Sequence, residues 1–304
     1  MKRFIKNSIF FFLPLLIVSF AIEIGIRSLP NVYKYKYNWM QQHAEDVEIL
    51  VLGNSYSYLG ISPRYIDSLK AFNLANVAQD YHIDYFLLKY WEERYENLKM
   101  VILPISYNSW FQGRLEAGAG QYRCRYYKLY MDCNLFSGNP LQYLEVSDIR
   151  SVSKRIPLLF KRQKVVGCDK WGWEALDLYM SDNKRVTEDE AKGHTVTDFS
   201  KWQDNYLVIK DIASFCKKKN VKLLLLNMPT HGYYYQVLSK EQCDKMYQLN
   251  STIQRECGTL YRDYMRDSRF DETDFTDGHH LNATGAIKFS KILHEDIKDI
   301  FDLN

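Results

Sequence analysis

An apolar run that ends on a glycine and a serine constrains this chain more than any other stretch. Val47-Glu48-Ile49-Leu50-Val51-Leu52 stops abruptly at Gly53-Asn54-Ser55-Tyr56-Ser57. Parallel sheets are covered on both faces, so their strands read as continuous apolar runs, and open α/β sheets place ligands beyond the carboxyl ends of those strands. A strand here therefore delivers the Ser55 hydroxyl to the functional edge of a sheet. The alternative is that Ser55 only caps a turn, since turn residues routinely follow strands.

The same pattern recurs along the chain. Ala71-Phe72-Asn73-Leu74, Met100-Val101-Ile102-Leu103, Val221 to Leu226 and Leu260 to Tyr264 read as further strands. Between them apolar residues recur at helical spacing, at Phe86, Leu87, Tyr90 and Trp91, and again from Trp202 through Tyr206, Ile209, Ile212 and Phe215. Pro63 to Leu69 reads as a short helix, Ser239-Lys240-Glu241-Gln242 as a capping box, and Asn282 as the cap of a last helix through Ile300. Strands alternating with helices predict an α/β fold, a three-layer sandwich with a parallel sheet flanked by helices.

A second stretch gives Ser55 its chemistry. In Asp274-Phe275-Thr276-Asp277-Gly278-His279-His280-Leu281-Asn282 an acid, Asp277, and a base, His280, stand three residues apart. A serine hydroxyl is a poor nucleophile until an imidazole takes its proton, and the imidazole needs a carboxylate to hold its tautomer and stabilise its charge. The pair resembles the Asp-x-x-His block of the SGNH/GDSL hydrolase superfamily. Gly53-Asn54-Ser55 resembles that family's Gly-Asp-Ser block, with Asn for Asp.

The resemblance implies further roles over residues 46–304. Ala78, in Asn73-Leu74-Ala75-Asn76-Val77-Ala78, stands where the family's oxyanion-hole glycine is expected, and Asn108, in Ser106-Tyr107-Asn108-Ser109, stands where the family has Gly-x-Asn-Asp. It implies a catalytic set of Ser55, Asp277 and His280, an oxyanion hole from Ser55, Ala78 and Asn108, and neither cofactor nor metal. The implied substrate is an acylated carbohydrate of a cell surface or secreted polysaccharide, or another ester, met by an esterase or an O-acyltransferase. The alternative is a non-catalytic binding or assembly protein of the cell envelope that keeps the fold.

The amino terminus addresses a membrane. Lys2, Arg3 and Lys6 precede an apolar run from Ile9 to Ile26. Such a span can cross a bilayer with its cationic flank in the cytoplasm and the body of the chain outside. Ser19 and Ala21 would also suit cleavage after Ala21, but the apolar run continues past that point, which favours a retained anchor over residues 1–28. Residues 29–45 read as a juxtamembrane linker, with Tyr33, Tyr35, Tyr37 and Trp39 as an interfacial aromatic belt. Outside the cytoplasm disulfides are permitted, and Cys124 and Cys133 are near enough in sequence to pair. Cys216 reads as a buried thiol.

Residues 110–197 break the regular pattern. Their aromatics, Tyr122, Tyr126, Tyr127, Tyr130, Trp171 and Trp173, either form a lid or substrate wall or pack as an insert on the domain. The 40 basic and 37 acidic residues are mixed along the chain, so there is no footprint for nucleic acid, and Lys161-Arg162-Gln163-Lys164 reads as solvated surface. Two rival arrangements are weaker. An α/β-hydrolase elbow would have a second glycine where Ser57 stands. A metal site from Asp274, Asp277, His279 and His280 lacks a completing cluster. His231 reads as an exposed loop residue.

Overall fold

The computed structural model describes residues 1–66, 69–161, 166–178 and 184–301. Arg162, Gln163 and Lys164 of the basic cluster lie outside the described residues. The helices are α1 (Lys2–Ser28), α2 (Val32–His43), α3 (Ser55–Gly60), α4 (Tyr81–Tyr90), α5 (Cys124–Tyr130), α6 (Ile149–Leu159), α7 (Lys184–Gly193), α8 (Trp202–Lys218), α9 (Gly232–Tyr235), α10 (Lys240–Cys257) and α11 (Ala283–Lys298). The strands are β1 (Ile49–Val51), β2 (Ala71–Asn73), β3 (Met100–Pro104), β4 (Lys222–Asn227) and β5 (Leu260–Asp263).

All five strands join one parallel sheet in the order β2-β1-β3-β4-β5. The chain leaves β1 for β2 on one side and comes back to β3 on the other. That reversal opens a crevice at the carboxyl ends of β1 and β3, where open sheets of this order bind ligands. Side chains alternate across the strands. Ile49, Val51, Ile102, Leu224 and Leu226 form one buried cluster with Ala286, Phe289, Leu293 and Ile297 of α11. The intervening Leu50, Val101, Leu103 and Leu225 are equally buried, on the face that α8 covers. Burying each of these aliphatic side chains contributes roughly 1.5–3 kcal/mol. Ser239 caps α10 by accepting from Gln242 N, and Asn282 caps α11 by accepting from Gly285 N at 3.0 Å.

The chain clusters into two compact units. The larger, residues 38–120 and 168–304, holds the sheet. The smaller joins residues 1–37 to 121–167. In the smaller unit α1 is long and apolar enough to cross a membrane. Near its end, the Glu23 carboxylate accepts the backbone N–H of Glu145 at 3.1 Å and of Val146 at 2.9 Å. Glu145 is fully buried and accepts from Tyr130 Oη and Arg155 Nη1, both at 2.6 Å.

Several expectations change. The stretch read as a linker is helical from Val32, and two of its four aromatics pack on other rings: Tyr33 on Tyr126 and Tyr127, and Trp39 flat on Phe72 at 3.7 Å. Large rings gain more by burial against other rings than by exposure. For the same reason Trp173 is buried, donating its Nε1–H to Leu59 O at 2.7 Å, so it packs on the domain and forms no lid. Cys124 and Cys133 are buried thiols, and among the described residues no disulfide forms. Cys216 is a buried thiol as expected, its pKa pushed by burial up to about 12. His231 is buried, not exposed: it caps α9 by accepting from Tyr233 N at 3.1 Å and packs edge-on against Phe275.

Candidate active site

The turn after β1 is held from three sides. Gly53 has φ +107, and a side chain there would overlap the Pro104 ring, so glycine is required. Its N–H donates to Asp84 Oδ1 at 2.7 Å, and Gln79 Nε2 donates to the same oxygen at 2.6 Å. Asp84 is completely buried, and burial pushes its carboxyl up to about 7 against these two hydrogen bonds. Asn54 then caps α3, accepting from Tyr56 N at 3.1 Å, while its amide donates to Ser109 Oγ at 3.3 Å. Asparagine caps as well as the family's aspartate does. Since Asn54 does the capping, Ser55 is left to present its hydroxyl.

The loop ahead of α11 is held as tightly. Thr276 N donates to His280 O at 2.9 Å, and Asn282 N to Asp274 O at 2.9 Å. Asp277 Oδ1 accepts the N–H groups of His279 and His280 at 3.0 and 2.8 Å. That leaves Asp277 Oδ2 for the His280 Nδ1, 2.8 Å away, and His280 Nε2 reaches Ser55 Oγ at 2.7 Å. With Asp277 ionised, Nδ1 carries the proton and Nε2 accepts from the hydroxyl.

Electrostatics supports that assignment. Burial alone would raise the Asp277 carboxyl, but the hydrogen bond and charge of His280, with His279 beside it, hold it well below the usual carboxylate range. Burial and the neighbouring His279 lower His280, against the pull of Asp277. A neutral imidazole between an ionised carboxylate and a hydroxyl can take a proton from that hydroxyl.

Of the two further residues expected here, Asn108 is buried, and its Oδ1 accepts from Ser106 Oγ at 2.9 Å and Tyr56 Oη at 3.4 Å. Tyr56 adjoins Ser55, so this bond ties Asn108 to the turn that carries Ser55. Ala78 lies on the turn after β2, which Asn76 N fastens to Gly53 O at 3.2 Å. Its φ is +59, the left-handed conformation that favours glycine. The backbone at this position thus keeps a glycine's shape with an alanine in place.

Sequence reasoning missed a group around His279. His279 stands one position before the histidine of the Asp-x-x-His block, yet its ring lies 3.9 Å from that of His280, and its Nδ1 is 3.4 Å from Asp277 Oδ1 and 3.7 Å from Glu190 Oε2. Glu190, on α7, also accepts Gly278 N at 3.2 Å. His194 packs edge-on to His279 and bonds Tyr234 Oη at 2.7 Å; burial and the two neighbouring imidazoles lower its pKa to about 4, so it is neutral. The only signal for these residues was the four-residue spacing of Glu190 and His194. Asp277, His279 and His280 bring ligand atoms within 4.8 Å of one another, but Asp274 is not among them: its carboxylate is bonded to Lys288 Nζ at 2.6 Å and to Asp271 N at 3.1 Å.

Comparison with known proteins adds distant likeness only. A family model matches residues 166–302, less than half of the chain, and no curated protein matches. Among solved structures, a protein from Bacteroides fragilis named as an acylhydrolase is 12% identical, with 86% of this chain and 95% of that one covered at a TM-score of 0.40. A GDSL-like lipase from Bacteroides thetaiotaomicron is 11% identical, with 88% and 99% covered, again at 0.40. Likeness at this distance carries no function, so the reading below rests on the residues themselves.

Proposed function

We propose that this chain is a serine-dependent ester hydrolase or O-acyltransferase. One observation carries the reading: the unbroken series Ser55 Oγ, His280 Nε2, His280 Nδ1, Asp277 Oδ2, with both links between 2.7 and 2.8 Å. Ser55 attacks an ester carbonyl as His280 takes its proton, and Asp277 stabilises the imidazolium. The oxyanion is held by the N–H groups of Ser55 and Ala78 and by the Asn108 amide, whose oxygen is already engaged by Ser106 and Tyr56. Collapse of this intermediate breaks the ester C–O bond, and His280 returns the proton to the departing alcohol. Water, or a sugar hydroxyl, then attacks the acyl-serine by the same route.

The site's substrate would be an acyl group on a cell-surface or secreted polysaccharide. Support comes from the resemblance of the Gly-Asn-Ser and Asp-x-x-His blocks and from an amino-terminal helix that would anchor the chain with Lys2, Arg3 and Lys6 in the cytoplasm. The alanine in the left-handed turn at Ala78 favours a second reading, a binding protein that keeps the fold without turnover. A fluorophosphonate probe separates the two. Covalent labelling of the full-length chain, abolished by Ser55→Ala, supports the acyl-enzyme; a folded wild-type chain that takes no label and hydrolyses no aryl ester refutes it and leaves the binding protein.

A further inference from the structure

The smaller unit carries a second exposed apolar feature besides α1. Beyond Met1 and α1, the most exposed large apolar side chains among the described residues are Phe160 at 86% and Ile149 at 80%. They bracket α6, whose apolar residues Ile149, Val152, Ile156 and Leu159 recur every three or four positions. No residue of α6 is buried. Arg150 and Lys154, on the helix, and Lys161, just after it, are exposed, and residues 149–161 contain neither Asp nor Glu. A basic amphipathic helix whose apolar stripe is exposed at Ile149, half-exposed at Val152, Ile156 and Leu159, and continued by exposed Phe160 has the composition of a helix that lies in a lipid interface.

Its attachment fixes where it must lie. Leu159 packs against Gly25 of α1, where an added Cβ would meet Leu159 Cδ1 at 3.2 Å, and Arg155 Nη2 reaches Ile26 O at 3.5 Å. The segment leading into α6 is held by Glu23, which accepts the N–H groups of Glu145 and Val146. The exposed apolar residues of α1 run from Phe4 to Ile24. At about 1.5 Å per residue that stretch spans roughly 30 Å, the thickness of a hydrocarbon core. An α1 that crosses a bilayer therefore brings Gly25 and Ile26 to the headgroup level, and Leu159 and Phe160 with them.

We infer that α6, with Phe160, lies in the interface of the same bilayer that α1 crosses, its apolar stripe at the acyl boundary and Arg150, Lys154 and Lys161 on anionic lipid headgroups. The cations reach the headgroups while their stems cover apolar surface. The irregular region, residues 110–197, would thus include a membrane foot. The inference rests on α1 spanning the membrane and is independent of the serine chemistry.

The test uses the full-length chain in nanodiscs of phosphatidylcholine with and without phosphatidylglycerol. An environment-sensitive fluorophore is placed at Phe160→Cys or Ile149→Cys, with Leu207→Cys as an exposed reference in the other unit, Ile17→Cys as a reference within α1, and the labelled parent chain subtracted for native thiols. Expected are blue-shifted emission at 160 and 149 and loss of most of it to a shallow doxyl lipid, with a deep doxyl lipid more effective at 17 and neither effective at 207. Solvent-like emission at 160 with quenching at 17 would overturn the inference. So would blue-shifted emission at 160 that no lipid quenches, since protein and not lipid would then cover the helix. Absent quenching at 17 removes the anchor and the inference with it. Arg150→Glu with Lys154→Glu should weaken quenching at 160 in the anionic discs only, and an unchanged signal there would eliminate the anionic-lipid contact.

Discussion

Two buried clusters in this chain use the same ingredients for different ends. In the smaller unit Glu145 is bonded by Arg155 and by the Tyr130 hydroxyl, with Arg125 Nε 3.8 Å away. In the larger unit Asp277 is bonded by His280, which holds the Ser55 hydroxyl. Both pair a carboxylate with a nitrogen base and a hydroxyl. Arginine, however, keeps its charge at any physiological pH, so the first cluster cannot move a proton and serves only to hold elements together. Histidine can be neutral beside an ionised aspartate, and the second cluster leaves a hydroxyl on an acceptor nitrogen. What distinguishes the two clusters is thus the titratability of the base, not burial or bond length.

The largest expected effect is loss of turnover in the second cluster. Ser55→Ala and His280→Ala should each reduce kcat for an aryl ester on the order of 10⁴-fold or more, and the double variant little further, since members of such a unit are not additive. Asp277→Ala should be milder than either. Folding, checked by circular dichroism, should be unaffected. Full activity in a folded Ser55→Ala chain would remove the comparison's second half.

Breaking the first cluster should do the opposite. Glu145→Ala leaves two arginines without their buried carboxylate and should cost about 3–5 kcal/mol of stability. The readout is faster proteolysis within residues 121–167 of the full-length chain, with the catalytic cycle of the remaining folded molecules unchanged. Undiminished protection would mean that the arginines find other partners.

Asp84 offers a third case, a buried carboxyl with no base beside it. Its folded pKa of about 7 lies above the ordinary 3.8. Between those values the folded chain binds a proton that the unfolded chain has released, so stability falls as pH rises through this window and is level above it. Asp84→Asn has no proton to lose. The variant's stability relative to wild type should therefore improve from pH 4 to pH 8 by several kcal/mol, at about 1.4 kcal/mol per pKa unit, as read from denaturant midpoints. A pH-independent difference would show that Asp84 is ionised in the fold.

A smaller effect concerns the acid limb of activity. The base must be neutral, so kcat/KM should rise with pH through the His280 pKa and level off above it. Burial and His279 lower that pKa, so the midpoint should lie below the ordinary 6.5 of imidazole. His279→Gln removes one of these influences and should move the limb to higher pH. His279 is accordingly not a silent neighbour, and a pH profile unchanged in the variant would restore it to that role. Smallest of all, Ala78→Gly should alter stability by no more than about 1 kcal/mol, because relief of the left-handed backbone is offset by the greater freedom of an unfolded glycine.

Much of the site was legible because its chemistry is local in sequence. Gly53-Asn54-Ser55 follows an apolar run, and Asp277 and His280 share one loop, so residue type and spacing point to them directly. Glu190, His194, Tyr56 and Tyr234 left no such mark beyond the spacing of the first two, since a histidine packed on another histidine from a distant loop has no signature in either segment. His231 and Trp39 misled for a related reason: each sits in a polar or aromatic stretch that looks exposed, and each packs on a residue far from it in the chain, Phe275 and Phe72, which leaves His231 buried and Trp39 half-buried.

Sequence by itself determined the five strands, the main helices with their caps, the α/β class and the three residues most able to act together. These depend on apolar periodicity, on capping and on the intrinsic acidity of side chains, all of which act over a few residues. Tertiary structure alone decided that Ser55 and His280, 225 positions apart, meet at 2.7 Å. It also decided that Asp84 sits buried under the turn that carries Ser55 and that half of the irregular region joins α1. Strand order and helix docking set those distances, and both are fixed only when the separate apolar faces bury one another.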